Sequence, residues 1–239
     1  MSEIRVWRGW RASRLNTAQG WARFQQDLRT TFAPATWQVM RRHGLQCYIP
    51  SLLDGTQASG APDEVALLFY MDVPSYEGHR STVAGRSYAV MHQALFNFDA
   101  SVGPASASDW AESTTGTPAG AKPRWRQPGT GGAGLSNAQH GLTFAAVSHS
   151  QALDAHAVFE ALGPKENEAV VMCEPTFTLM WVAAAAPIDP DTFAKQVLAS
   201  LPGTGRIAVH AARGISLTVD YFAKFDTVDF APDQTLRFA

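Results

Sequence analysis

Apolar positions along the chain recur at two spacings, and the switches between them mark out the elements. Residues 4–12 are β-rich, with Arg5, Trp7 and Arg11 on one face and Val6, Arg8 and Trp10 on the other. Asn16 or Thr17 then suits a helix N-cap, and Trp21, Phe24, Leu28 and Phe32 follow at three- and four-residue spacing on one stripe. Pro34 should kink or restart that helix, because its ring removes a backbone donor. Trp37 and Met40 continue the stripe. Arg41, Arg42 and His43 suit the negative end of the helix dipole, and Gly44 supplies the stop. Residues 45–53 read as a strand.

A polar turn at 54–63 leads into residues 65–73. Val65, Leu67, Phe69, Met71 and Val73 alternate there with Ala66, Leu68, Tyr70 and Asp72, so both faces are largely apolar. A strand of this kind is covered twice, by its own helices and by another sheet or subunit. Residues 83–98 return to helical spacing, with Val83, Ser87, Val90, Met91, Ala94, Leu95 and Phe98 inward. A first unit, 1–98, therefore runs β-α-β-β-α. Residues 99–141 hold eight glycines, four prolines and nine serines or threonines, the composition of a connection. Trp110 and Trp125 within it predict that part of this segment packs over a surface as a lid. The pattern then restarts as a second unit, 142–239. Its strand at 141–148 and helix at 151–162 precede strands at 169–173 and 177–184, a helix at 191–201 and a hairpin of 206–212 with 215–225. Two β-α-β-β-α units in succession are a repeat at the level of pattern.

Split β-α-β units build the ferredoxin-like fold. The opening Ile4-Arg5-Val6-Trp7-Arg8-Gly9-Trp10 resembles the first strand of many dimeric α+β barrel proteins, which often begin with a hydrophobic-Trp-Arg-Gly string. That superfamily includes antibiotic-biosynthesis-type and haem-degrading monooxygenases, and its two-repeat members include chlorite dismutase-like haem proteins of similar length. The resemblance implies an α+β chain of two ferredoxin-like units, with antiparallel sheets face to face and a ligand enclosed between sheet and helices. It also implies a homodimer. The sequence departs from the family in two places: no strand after 98 completes the first unit, and 99–141 has no counterpart.

Charge adds one question. The charged fraction, 17%, is below the roughly 25% of ordinary soluble domains, yet residues 1–44 hold eight arginines against Glu3 and Asp27. Arg5, Arg8, Arg11 and Arg14 recur every three residues around Trp7 and Trp10, as a nucleic-acid footprint or a transit peptide would. A net charge of −2 favours a strand whose arginine stems cover apolar neighbours and whose guanidinium groups pair with carboxylates. No nucleic-acid partner is expected. The longest charge-free apolar stretch, 175–188, is too short to span a bilayer, and the arginine-rich start is unlike a secretory signal. Cys47 and Cys173 form neither a disulfide framework nor a metal knuckle. A cytoplasmic protein without a membrane partner is expected, and seven tryptophans with thirteen phenylalanines favour a homodimer.

Candidate chemistry is thin outside one cluster. Residues 129–134 match G-x-G-x-x-G, but Pro123 and Pro128 precede them and no helical periodicity follows, so they read as a glycine loop. No two histidines share the i, i+4 spacing of a zincin helix, and no G-x-S-x-G elbow occurs. What remains is Tyr48, Tyr70, Arg86, Tyr88 and His92, the last two on one helix face at i, i+4. The barrel resemblance implies that His92 or Tyr70 moves protons while Arg86 neutralises an enolate or carboxylate. Trp7, Tyr48, Tyr88 and Asp72 are the ligand-binding candidates, Asp72 also as a base. The expected function is small-molecule binding, as a cofactor-independent monooxygenase or isomerase acting on a small aromatic or polyketide-like ligand. The alternatives are a haem protein with His156 as axial ligand, and a non-catalytic structural or interaction protein. No metal site is expected.

Overall fold

The computed structural model describes residues 2–53, 60–97, 110–113, 122–162, 164–201, 203–212 and Arg237. The expected strand at 215–225 and the inward position of Phe98 lie outside these residues, as does most of 98–121. The fold is α+β.

β1 (Glu3–Gly9), β2 (Leu45–Leu52) and β3 (Glu64–Tyr70) form an antiparallel sheet in the order β1-β3-β2. The strand that is apolar on both sides takes the middle, with Trp7 opposite Ala66 and Tyr48 opposite Leu68. A register shift between Leu45 and Cys47 puts Leu45, Tyr48 and Leu52 on one face, and Cys47, Ile49 and Leu53 on the other. Pro50 is tolerated because β2 is an edge strand of this sheet.

Three helices cover one face. α1 (Ala18–Asp27) begins at Thr17, whose hydroxyl accepts from the Gly20 amide. Pro34 does not break the helical run. A five-residue π turn, Leu28–Phe32, comes first, and α2 (Ala33–Met40) restarts with Pro34 in its first turn, where a missing N–H costs little. Gly44 then ends the helix at φ 83°, a left-handed conformation that glycine adopts freely. β3 stops at Tyr70 rather than 73, because Asp72 caps the short α3 (Val73–Gly78) by accepting from the Ser75 amide at 2.7 Å.

α4 (Val83–Leu95) turns a different face inward from the expected one. Gly85, Tyr88 and Leu95 are buried, while Val83 and Val90 are 72% and 63% exposed. Gly85 sets this rotation. It lies so close to the His79 carbonyl that an added Cβ would meet the oxygen at 1.9 Å.

β4 (Glu112–Ser113), β5 (Arg124–Arg126), β6 (Gly141–His149), β7 (Ala169–Cys173), β8 (Phe177–Ala184) and β9 (Thr204–Ala212) form a second sheet, ordered β4-β5-β7-β8-β6-β9. Every pairing is antiparallel except β4 with β5. α5 (Ala155–Ala161) and α6 (Pro190–Ser200), capped by Asp154 and Asp189, cover its outer face.

The sheets pack face to face. Ile4, Val6, Ile49 and Leu67 of the first share one buried cluster with Phe144, Met172, Leu179 and Trp181 of the second. The layers therefore run helix, sheet, sheet, helix, and both apolar faces of β3 are covered within the chain. Two further ties hold the sheets together. Residues 110–113 lie along the β1 edge, where Ala111 donates to the Ile4 carbonyl at 2.8 Å, before continuing as β4 of the second sheet. Arg8, buried on the inter-sheet side, pairs with Glu174. Arg11 pairs with Asp63, so these two arginines of the N-terminal series are bound to carboxylates of the chain. Among the described residues no helix is long and apolar enough to cross a membrane.

Removing Glu174 takes its carboxylate from a buried guanidinium. Glu174→Ala is expected to cost stability near the lower end of the roughly 3–5 kcal/mol typical of a broken buried pair, read by urea unfolding. Arg8→Met combined with Glu174→Leu should recover most of that loss; equal losses in the single and double variants would show that the pair does not tie the sheets.

Candidate functional site

The layer between the first sheet and its helices encloses a cavity of about 50 Å³. Its floor is the helix-facing side of the sheet, with Arg5 and Trp7 from β1, Tyr48 from β2, and Ala66, Leu68 and Tyr70 from β3. The roof comes from Phe32, Thr36 and Met40 on one side and from Tyr76, His79, Tyr88, Ala89 and His92 on the other. Period-2 alternation brings every second strand residue to this face, and the i, i+4 spacing of Tyr88 and His92 brings both to one side of α4.

Hydrogen bonds fix the roof. Thr36 donates to the Phe32 carbonyl at 2.9 Å and accepts from the Tyr88 hydroxyl at 2.7 Å. His92 Nδ1 lies 2.9 Å from the Tyr88 carbonyl. A carbonyl only accepts, so Nδ1 carries the proton and Nε2 is the acceptor nitrogen. The imidazole stands edge-on to Tyr88, Phe32 and Trp7, at centroid distances of 4.3, 4.6 and 5.1 Å. Burial drives its pKa down to about 4, against a smaller opposing effect of the Tyr88 carbonyl. It is neutral through the physiological range.

The cavity lining also carries a cation. The Arg5 guanidinium, buried, lies 4.9 Å from the centre of the Tyr76 ring and 5.8 Å from that of Trp7. His79 packs beside Tyr76, and burial lowers its pKa as well. Burial raises the pKa values of Tyr48, Tyr70 and Tyr88 well above the ordinary phenol value, so their hydroxyls stay protonated. At the edge of this floor stands Glu64, fully buried at the start of β3 and opposite Gly9. Desolvation pushes its carboxyl up to about 8, only partly opposed by the nearby Trp7 indole.

Five residues singled out in the sequence line this one cavity: Trp7, Tyr48, Tyr70, Tyr88 and His92. Two do not. Arg86 is exposed on the outer turn of α4 and donates to the Ser81 carbonyl at 2.8 Å. It cannot neutralise a charge in the cavity from there. Asp72, far from being a base on a strand face, is the half-buried cap of α3. The sequence reading missed Arg5, Thr36, Tyr76, His79 and Glu64. For Arg5 a signal existed, since it shares a strand face with Trp7. Glu64 had one too, as a carboxylate directly before an apolar strand. Thr36, Tyr76 and His79 arrive through helix packing and leave no local mark.

On the far side of Phe32 an open cleft of about 420 Å³ lies between α1, the π turn and α4. Neither space is lined by His156, which is exposed on α5. An axial haem ligand stands in an enclosed pocket, whereas among the described residues His156 is solvent-exposed. Among the described residues no three His, Cys, Asp or Glu side chains converge to hold a metal ion.

No family model matches the chain, and no curated protein does. Among solved structures, a "putative monooxygenase" from Lactobacillus acidophilus NCFM is similar over 77% of each chain, with 8% identity and a TM-score of 0.36. An anthrone oxidase-like protein is similar over 77% of this chain and 72% of its own, again with 8% identity and a TM-score of 0.34. Likenesses at this level carry no argument about fold or activity.

Glu64 and His92 pull the pH dependence of stability in opposite directions. Glu64 holds its proton to about pH 8 when folded, against 4.5 for a free side chain. Its contribution is full below 4.5 and lost as pH rises through 8, at ~1.4 kcal/mol per pH unit. His92, lowered from 6.5 to about 4, contributes fully above 6.5 and loses its share as pH falls through 4. The two slopes offset each other from 4.5 to 6.5 and leave a net decline from 6.5 to 8. Glu64→Gln should abolish that decline in chemical denaturation at pH 6.5 and 8; an unchanged slope would exclude Glu64 as its source.

Proposed function

We propose that the protein binds a small molecule in the inner cavity and moves a proton on it without a cofactor, as a monooxygenase or an isomerase would. The observation that carries this reading is that two groups line one cavity: a neutral His92 with Nε2 as its acceptor nitrogen, and the buried cation of Arg5. A ligand with an acidic C–H or O–H beside a carbonyl meets both needs. His92 Nε2 accepts the proton, and Arg5 with the tyrosine hydroxyls stabilises the enolate or phenolate left behind. An isolated imidazolium would be costly at this depth, as the lowered pKa shows. Formed together with an anion it is paired, and the attraction offsets its desolvation.

Size limits the ligand. An apolar cavity of about 150 Å³ accommodates benzene, and this one is about 50 Å³. The closed cavity takes a compound of a few heavy atoms, and an aromatic or polyketide-like ligand requires side chains to move. The finer architecture belongs to the same reading. The order β7-β8-β6-β9, with α5 and α6 as crossovers, is that of a ferredoxin-like unit, and β1-β3-β2 with residues 110–111 beside β1 is its counterpart in the first half. A homodimer is part of it as well, supported by the exposed Val83 and Val90, two turns apart on α4. Light scattering at micromolar concentration should then give twice the 25.8 kDa chain mass; a monomer mass would end the dimer.

Acetylacetone, a 1,3-diketone of about benzene's size that enters with the same side-chain movement, probes the chemistry. Deuterium uptake at its central carbon, followed by NMR, should be accelerated by the purified protein, and oxygen consumption distinguishes a monooxygenase from an isomerase. His92→Phe and Arg5→Met should each lower the exchange rate about 10²-fold or more, the scale of a lost acid–base group, with the His92→Phe fold intact by circular dichroism. Exchange no faster than in buffer, or equal in the His92→Phe protein, would overturn the reading.

A further inference from the structure

Phe32 lines two spaces at once. Its ring forms part of the inner cavity wall, packed against Tyr88 and His92 at centroid distances of 5.6 and 4.6 Å, and it also lines the outer cleft. It is the residue common to the two linings. Phe32 also closes the π turn, where the Ala33 amide reaches back five residues to the Leu28 carbonyl. Such a wide turn in an otherwise α-helical run recurs at functional sites, because its backbone bonding is less regular than that of its neighbours.

The cleft has the size and lining of a ligand site. Its volume, about 420 Å³, falls in the range of small-molecule pockets, roughly 300–1,000 Å³; the inner cavity does not. Leu15, Phe32, Met91 and Leu95 supply apolar walls, and Arg14 and Arg23 supply two cations at the rim. Asp27 is the acidic group of the lining, and Arg23 Nε lies 3.4 Å from its carboxylate. Thr31 adds a hydroxyl. Arg14 spends a proton of Nη2 on the Ala94 carbonyl, which anchors the guanidinium over the cleft and leaves its other donors available to a ligand. Two guanidinium groups against one carboxylate leave a net positive rim over an apolar floor.

We propose that this cleft binds an amphipathic aromatic carboxylate, its ring against Phe32 and Met91 and its carboxylate at Arg14 and Arg23, and that Phe32 is the partition between this outer site and the inner cavity. Binding in the cleft is independent of the function proposed above; passage beyond Phe32 rests on that reading. The arrangement accounts for the disparity in size. A ligand too large for the closed inner cavity is first held outside it by charge and apolar contact, and a rotation of one aromatic ring joins the two spaces.

Methionine methyl groups report the two sites separately, because Met91 lines only the cleft and Met40 only the inner cavity. In protein labelled with methyl-13C methionine, 2-naphthoate should shift the Met91 resonance and leave Met40 in place. The uncharged 2-naphthamide should bind at least tenfold more weakly, and Arg14→Gln with Arg23→Gln should weaken naphthoate to a similar degree. In Phe32→Leu, or in Phe32→Met if the first folds poorly, naphthoate should shift Met40 as well. A silent Met91 at millimolar naphthoate, equal affinity for acid and amide, or a Met40 response without Met91 would each overturn the outer site. A Met40 that stays silent in both Phe32 variants overturns the partition. A Met91 response beside an inactive acetylacetone assay leaves the cleft standing and removes only the inner-cavity chemistry.

Discussion

A three-stranded sheet whose two faces are both apolar exists in water only if each face is covered, and the remainder of the molecule is arranged around that demand. β3 runs through the middle with neither side able to face solvent. The chain meets the requirement by itself, laying α1, α2 and α4 on one face and a second sheet on the other. The second sheet carries the same burden and hands its outer face to α5 and α6. Burial on this scale is the principal favourable term in folding, and it fixes the order of layers before any polar contact is counted.

Polar groups caught between such layers lose water and must find partners. Arg8 does so with Glu174 across the sheets, and Glu168 with the Leu135 amide and the Trp125 indole, at 2.6 and 2.8 Å. These contacts hold sheets and connecting segments in register. Glu64 answers in another way, by keeping its proton, since a neutral carboxyl is far less costly to bury than a carboxylate. His92 does the converse and remains unprotonated. Burial thus holds both groups in their uncharged forms.

The two helix layers differ in what fills them. Over the second sheet, Val158, Phe159, Phe193 and Val197 meet Ala145, Val147 and Val171 in a mostly aliphatic layer, whose polar side chains include Thr143 and a His149–Thr178 pair at 3.0 Å. Over the first, aromatic rings of varied size and polarity enclose a space they do not fill. Tyrosine and histidine present an apolar body and a polar tip, so a layer built from them can be dry and still chemically able. That contrast places the candidate site in the first half of the chain.

The sequence by itself marked strands at 45–53, 169–173 and 177–184 and most of the one it ran over 65–73, a helix capped at Asn16 or Thr17, the stop at Gly44 and the apolar character of both β3 faces. These follow from side-chain spacing and backbone chemistry within a window of a few residues, which no distant contact needs to supply. It also placed Trp7, Tyr48, Tyr70, Tyr88 and His92 on faces that could meet. Only the tertiary structure decided that they do, because the roof depends on contacts such as Thr36 with Tyr88, 52 residues apart. The same holds for the rotation of α4. Its apolar residues fit more than one stripe, and the close approach of Gly85 to the His79 carbonyl selects the one that turns Val83 and Val90 to solvent and Arg86 away from the cavity. Asp72 shows the limit most simply. Alternation alone continues the strand through it, whereas its carboxylate gains more by capping the Ser75 amide of a new helix than by lying on a sheet face, and that choice depends on where the chain must turn to cover the sheet it has just built.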